Sequence, residues 1–78
     1  MKNVTIYSTP TCSYCKAAKA FFKEHNVTYT EKDVAGDAAA RTEMVEKSGQ
    51  MGVPVIFVDT DIIVGFDEGR LKQLLAIA

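Results

Sequence analysis

The amino-acid sequence predicts an α/β domain: a four-stranded mixed sheet flanked by three helices, in the order β-α-β-α-β-β-α. Three observations predict it. A strand-like alternation near the N-terminus is followed by a helical pattern and a second strand-like run, a spacing that favours a right-handed parallel βαβ crossover. A second helical stretch opens at an aspartate and stops at a glycine. Two apolar runs separated by Asp59-Thr60-Asp61 then read as a hairpin, ahead of a last helix with one apolar face. A chain of 78 residues holds one small domain, spanning residues 1–78.

The elements follow in order. Val4, Thr5, Ile6 and Tyr7 alternate apolar and polar, with β-branched and aromatic side chains, which suits a first strand. Residues 8–11, with Pro10 among them, form a loop. Over residues 13–25 the period becomes helical. Tyr14, Ala18 and Phe21 share a face with Cys15 and Phe22, while Lys16, Lys19 and Lys23 form a solvated stripe, and Asn26 ends the helix. Residues 27–32 read as the second strand. Asp37 caps a helix over residues 38–47, with Gly49 as its stop. Residues 53–58 are an apolar run of strand length holding Pro54, with Ile56, Phe57 and Val58 as core or sheet face, and residues 62–64 return as its hairpin partner. Asp67 caps a final helix in which Leu71, Leu74, Leu75 and Ala78 share a face. Met44 and Met51 read as core filler.

Composition excludes several classes. With 47% hydrophobic and 24% charged residues, the chain has enough apolar material to fold, so disorder is excluded. A formal net charge of −1 offers no basic field for nucleic acid or an anionic membrane, which leaves a small-molecule or protein partner. No apolar run approaches the roughly 18 residues of a membrane span. Met1-Lys2-Asn3-Val4 leads straight into the first strand without a long apolar region, so a cytoplasmic location is expected. There thiols are kept reduced, and a cysteine pair reads as catalytic or metal-binding before it reads as a brace.

The chemistry concentrates in Cys12-Ser13-Tyr14-Cys15, which holds the only two cysteines. Residues i and i+3 of a helix lie about 5–6 Å apart, within the roughly 4.4–6.8 Å that a disulfide spans between Cα atoms. The bond therefore forms with little rearrangement. It closes almost no loop and so constrains the unfolded chain weakly. That combination suits exchange better than bracing. Cys12 stands where unpaired amides and the positive end of the helix dipole favour the ionised sulfur, with Lys16 adding positive charge one turn on. Cys15, one turn inside, is expected to be buried and protonated. Cys12 is thus expected to attack a substrate disulfide and Cys15 to resolve the mixed disulfide. Two thiols and the single histidine, His25, do not make a closed zinc site in one chain. His25 reads as a solvated helix-end residue, and no metal ligand is assigned. A cluster shared between two chains remains open.

With these residues in view, the chain resembles a glutaredoxin, within the thioredoxin fold family. The resemblance spans essentially the whole length. It rests on Tyr7-Ser8-Thr9-Pro10-Thr11-Cys12-Ser13-Tyr14-Cys15, on Gly52-Val53-Pro54-Val55-Ile56-Phe57 and on Val64-Gly65-Phe66-Asp67-Glu68. It implies that the Val53–Pro54 peptide is cis and faces the cysteines. The backbone of Val53 would pair with incoming glutathione or a substrate segment. Gly65, Phe66 and Asp67 would hold the γ-glutamyl end of glutathione, Asp67 meeting its ammonium or simply capping the helix. Tyr14 packs at the helix edge beside the site or shapes a substrate groove. Departures are also visible. Ser13 replaces the usual proline of Cys-Pro-Tyr-Cys, Thr9 stands where many members carry a lysine, and Gly52 stands where a threonine is common. Gly65-Phe66 is also similar to NrdH-redoxins, glutaredoxin-like proteins reduced by thioredoxin reductase, although Ile63-Val64 replace their Trp-Ser.

The resemblance implies a dithiol–disulfide oxidoreductase with no tightly bound cofactor. Glutathione would serve as reductant or co-substrate. Glutathione or thioredoxin reductase would be the electron donor, disulfide-containing proteins the substrates, and the protein a monomer. The alternative is an iron–sulfur cluster carrier, in which two chains bridge a cluster through Cys12 and glutathione.

Overall fold

Alternating side chains place the central strands of the sheet between two apolar layers. The computed structural model describes residues 3–77. Met1, Lys2 and Ala78, the last assigned above to an apolar helix face, lie outside the described residues. The strands are β1 (Val4–Ser8), β2 (Thr30–Asp33), β3 (Val55–Val58) and β4 (Asp61–Val64). They form one mixed sheet in the order β2-β1-β3-β4. β1 pairs parallel with β2 and antiparallel with β3, and β3 pairs antiparallel with β4. The helices are α1 (Ser13–Glu24), α2 (Ala38–Ser48) and α3 (Glu68–Leu75).

Each sheet face carries its own core. On one, Val4, Ile6, Ile56, Val58 and Ile63 meet Ala18, Phe21 and Phe22 of α1 and Leu71 of α3. On the other, Tyr7 and Val55 meet Ala40 and Met44 of α2, with Val34 beside them. The period-2 alternation of β1 is what lets one strand serve both layers. The expected element order and mixed sheet are present.

Strand β2 sits at the sheet edge and is charged at Glu31, Lys32 and Asp33. Glu31 pairs in register with Ile6 and so faces α1, where its carboxylate meets Lys19 at 2.7 Å. Lys32 points the other way and meets Glu43 of α2 at 2.7 Å. Charged side chains on an exposed edge also discourage pairing with other chains. The Tyr7 hydroxyl donates to the same Glu43 carboxylate, and the Lys32 ammonium lies 5.6 Å from the centre of the Tyr7 ring.

The predicted second strand began three residues too early. Val27 to Tyr29 have the residue types of a strand, but Val27 is committed to ending α1. Its amide donates to the Phe22 carbonyl at 2.8 Å, the Asn26 amide donates to Lys23 at 3.2 Å, and Asn26 takes φ +57°. This is a Schellman closure, which satisfies carbonyls that the last helical turn leaves free. β-pairing starts only at Thr30, opposite Thr5. Strand β3 likewise starts at Val55 rather than Val53, since Pro54 has no N–H to give the ladder. Asp37 and Gly49 cap α2 as expected, the latter at φ +71°. Met44 is fully buried, whereas Met51 is 67% exposed and fills no core, because it lies beyond the end of α2 in an extended loop.

The Glu43 cluster yields an acid-stability prediction. Its bonds from Lys32, then from Tyr7, hold the Glu43 carboxyl down at about 2, against an ordinary 4.5. Between those values the unfolded chain binds more protons than the folded one, so stability rises with pH there. The contribution is complete above about pH 4.5 and is lost as the pH falls towards 2. Melting temperatures from pH 2 to 7 are expected to drop over this window, and Glu43→Gln to flatten that part of the drop. An unchanged acid limb in the variant would show that the cluster stabilises nothing.

Candidate active site

Register brings three separate segments to one end of the sheet. Tyr7, Val55 and Val64 stand side by side across β1, β3 and β4. The chain runs from Tyr7 and Ser8 into the cysteine loop, reaches Val55 directly from Pro54, and leaves Val64 directly into Gly65. The cysteine loop, the Val53–Pro54 step and the start of α3 therefore share this end. The Val53–Pro54 peptide is cis, as the resemblance implied. The Gly65 amide donates to the Pro54 carbonyl at 2.8 Å, tying the second segment to the third. Gly65 takes φ +85°, a left-handed conformation that glycine adopts without a Cβ penalty.

Cys12 is the N-cap of α1, with extended backbone angles φ −82° and ψ 114°. Its amide donates to the Thr9 carbonyl at 3.3 Å and its carbonyl accepts from Lys16 at 3.2 Å. Its sulfur accepts the Cys15 amide at 3.1 Å. Here a sulfur performs the task that a serine or aspartate oxygen usually performs at a helix start. Both cysteines are free; Cys12 is half-buried and Cys15 buried. Burial, then the hydrogen bond with Cys12, pushes the Cys15 thiol up to about 12. Cys15 is therefore protonated at neutral pH, in agreement with its expected place one turn inside the helix. The geometry offers one accessible sulfur and one withdrawn sulfur within a single turn.

The remaining residues fall into two groups. Val53 is half-buried and packs against the core layer that holds Tyr7, Met44 and Val55. Pro54 is fully buried. Phe66 packs edge-on against Phe21 at 5.9 Å and so joins the core. The Asp67 carboxylate accepts the Arg70 amide at 3.1 Å, so it does cap α3. Tyr14 is 69% exposed and does not pack with Ala18 and Phe21. Side chains on a helix lean towards its N-terminus, and in the first turn that direction carries Tyr14 away from the core and into solvent. His25 is not a solvated end residue: it is half-buried, with its ring 4.5 Å from that of Phe21. It caps the far end of α1, on the order of 20 Å from Cys12 at 1.5 Å per residue. Among the described residues, no three His, Cys, Asp or Glu side chains gather as a metal site.

One cluster escaped the sequence reading. Lys19 does not belong to a solvated stripe. It binds Glu31, which also accepts the Ser8 hydroxyl at 3.1 Å. Its spacing of four from Cys15 was the available signal, since residues i and i+4 are neighbours on a helix.

The glutaredoxin family model matches residues 4–63. The chain belongs to the glutaredoxin family. Glutaredoxin 3 of Escherichia coli is 44% identical over 68 residues, which cover 87% of this chain and 82% of the relative. An uncharacterized glutaredoxin-like 8.6 kDa protein in the rubredoxin operon of Clostridium pasteurianum is also 44% identical, over 92% of this chain and 96% of its own. The crystal structure of the thioredoxin-like protein BC3987 aligns with a TM-score of 0.87 at 35% identity, covering 91% of this chain and 97% of that one. This glutaredoxin is a thiol–disulfide oxidoreductase, and Cys12 and Cys15 form its Cys-x-x-Cys pair.

Exposure orders the two thiols. Brief iodoacetamide treatment of the reduced, folded glutaredoxin at neutral pH is expected to label Cys12 well before Cys15, as read by peptide mass mapping, and denaturant to make both label. Early labelling of Cys15 would contradict the buried position.

Proposed function

We propose that this glutaredoxin reduces protein disulfides and glutathione mixed disulfides by a dithiol route, with Cys12 as nucleophile and Cys15 as resolving thiol. The observation that carries the reading is the opening turn of α1: the Cys12 sulfur rests on the Cys15 amide at 3.1 Å while the Cys15 thiol is buried behind it. Cys12 attacks a substrate disulfide, and one substrate sulfur leaves as a thiolate that takes up a proton. Cys15 then attacks the Cys12 sulfur of the mixed disulfide. The bond to the substrate breaks, the Cys12–Cys15 disulfide forms, and the second substrate thiol departs with a proton. The pair is oxidised by two electrons and the substrate disulfide is reduced by two. Glutathione returns the electrons by the reverse exchange, and no tightly bound cofactor takes part.

In this reading the thiol substrate lies along the shared end of the sheet. The Val53 backbone pairs with it in the manner of a strand. Gly65, Phe66 and Asp67 receive the γ-glutamyl end, with the amides that open α3 aimed at its carboxylate and Asp67 near its ammonium. Because the Gly65 amide is already used by Pro54, the donors to the ligand are those that follow it. Exposed Tyr14 forms the outer wall. Thr9 supplies no cation for the ligand's other carboxylate. The protein acts as a monomer, one domain over residues 1–78, in the reducing cytoplasm.

Cys15→Ser is expected to accumulate a mixed disulfide at Cys12, visible by mass spectrometry, and Cys12→Ser to lose turnover. Accumulation in the Cys12→Ser protein instead would reverse the roles. An NADPH-coupled assay run with glutathione and its reductase is expected to turn over. Turnover only with thioredoxin reductase would reassign the electron donor.

A further inference from the structure

Behind Cys15 lies a polar cluster that the exchange steps above leave unused. Lys19 stands one turn past Cys15 on α1, so their Cβ atoms are helix neighbours about 5–6 Å apart. Its side chain is only 22% exposed, unusual for a lysine on a helix surface. The ammonium is drawn inward by Glu31 of β2 at 2.7 Å. Glu31 is steadied in turn by the hydroxyl of Ser8, the buried last residue of β1 and the one from which the cysteine loop departs. An ammonium on a flexible four-carbon stem would otherwise sample solvent. Here one end of the pair is built into the sheet and the other lies beside the buried thiol.

We propose that Lys19, held by Glu31 and Ser8, is a positioning residue for resolution: its fixed positive charge stabilises the Cys15 thiolate as that sulfur attacks Cys12. The proposal rests on Cys15 being the resolving thiol. In the step concerned, Cys15 gives up its proton and its sulfur bonds to the Cys12 sulfur. The Cys12–glutathione bond breaks, and glutathione leaves with its electron pair and takes up a proton. No other reactant is required. Lys19 touches none of the exchanging atoms and acts only through the charge it holds nearby.

The charged groups around Cys15 agree with this division. Burial and Cys12 both oppose ionisation of Cys15, while a hydrogen bond with the Thr9 backbone and, after it, the Lys19 charge favour it. The bond to Glu31 raises the Lys19 pKa, and the bond from Lys19 lowers that of Glu31, so both stay ionised at neutral pH. Asp33 from β2 adds negative charge near Glu31, and Tyr29, just before β2, lies near Lys19.

The test separates the two chemical steps. Reduced protein is mixed in single turnover with a glutathionylated peptide. Peptide release reports attack by Cys12, and glutathione release reports resolution by Cys15. Each unit by which a lost charge raises the Cys15 pKa cuts its thiolate tenfold and returns about threefold through basicity, for a net slowing of about threefold. Lys19→Met is expected to displace the pH profile of glutathione release upward and to slow that release about threefold per unit of displacement, with peptide release unchanged. Lys19→Arg is expected to restore both rate and profile. Lys23→Met, which removes an exposed charge two turns from Cys15, is expected to behave as wild type in both steps. Melting temperatures confirm that each variant is folded. Wild-type glutathione release and an unshifted profile in Lys19→Met would overturn the role of Lys19. A Cys12–glutathione adduct that persists in the wild-type protein, with no Cys12–Cys15 disulfide formed, would instead overturn the dithiol reading beneath it.

Discussion

One contact organises the reactive end of this molecule: the Cys15 amide donating to the Cys12 sulfur across the first turn of α1. It satisfies an amide that the helix start would otherwise leave unpaired. It also holds the Cys12 sulfur at the opening of the helix and places the Cys15 side chain one turn deeper. Both consequences come from helix geometry, not from a rigid loop. A bond between these sulfurs closes only a very short loop, so making and breaking it changes the stability of the unfolded chain little. That is what reversible exchange demands of a disulfide.

The sheet supplies the rest of the site by register. Because β1, β3 and β4 present Tyr7, Val55 and Val64 in one row, the segments adjoining them emerge together. The bond from Gly65 to Pro54 fastens two of these segments to each other. The edge strand β2 contributes differently. Its charges alternate between faces, so Glu31 pins α1 near Cys15 and Lys32 pins α2. A strand with almost no apolar side chains is thus held by polar contacts on both faces.

Most elements could be read from residue types alone, because their signals are local. The alternation of Val4 to Tyr7, the Asp37 and Asp67 caps and the αL glycine at Gly49 each act within a few residues, and the structure contains them all. Misreadings arose where one residue type suits two roles. Val27 and Tyr29 look like strand, but a helix closure uses the amide of Val27 and pairing begins at Thr30. Tyr14 shares a helical face with Ala18, yet it lies in the first turn, where that face has no core beneath it. Met51 is as apolar as Met44 but follows α2 instead of lying in it. At the site, the cysteine pair was legible because its spacing is itself the chemistry. The Lys19–Glu31–Ser8 cluster was not, since it joins three elements that only the sheet order brings together. The cis Val53–Pro54 peptide came from the family resemblance and from nothing local.

The central claim is that the Cys12–Cys15 bond can form and break while the fold stays still. Backbone amide chemical shifts of the reduced and the oxidised protein test it most directly. Changes should be confined to residues 9–16 and to the facing stretches 53–54 and 65–67, with the amides of β1, β2 and α2 unmoved. Shifts spread through the sheet and α2 would contradict it, because they would mean that the disulfide forms only by rearranging the domain.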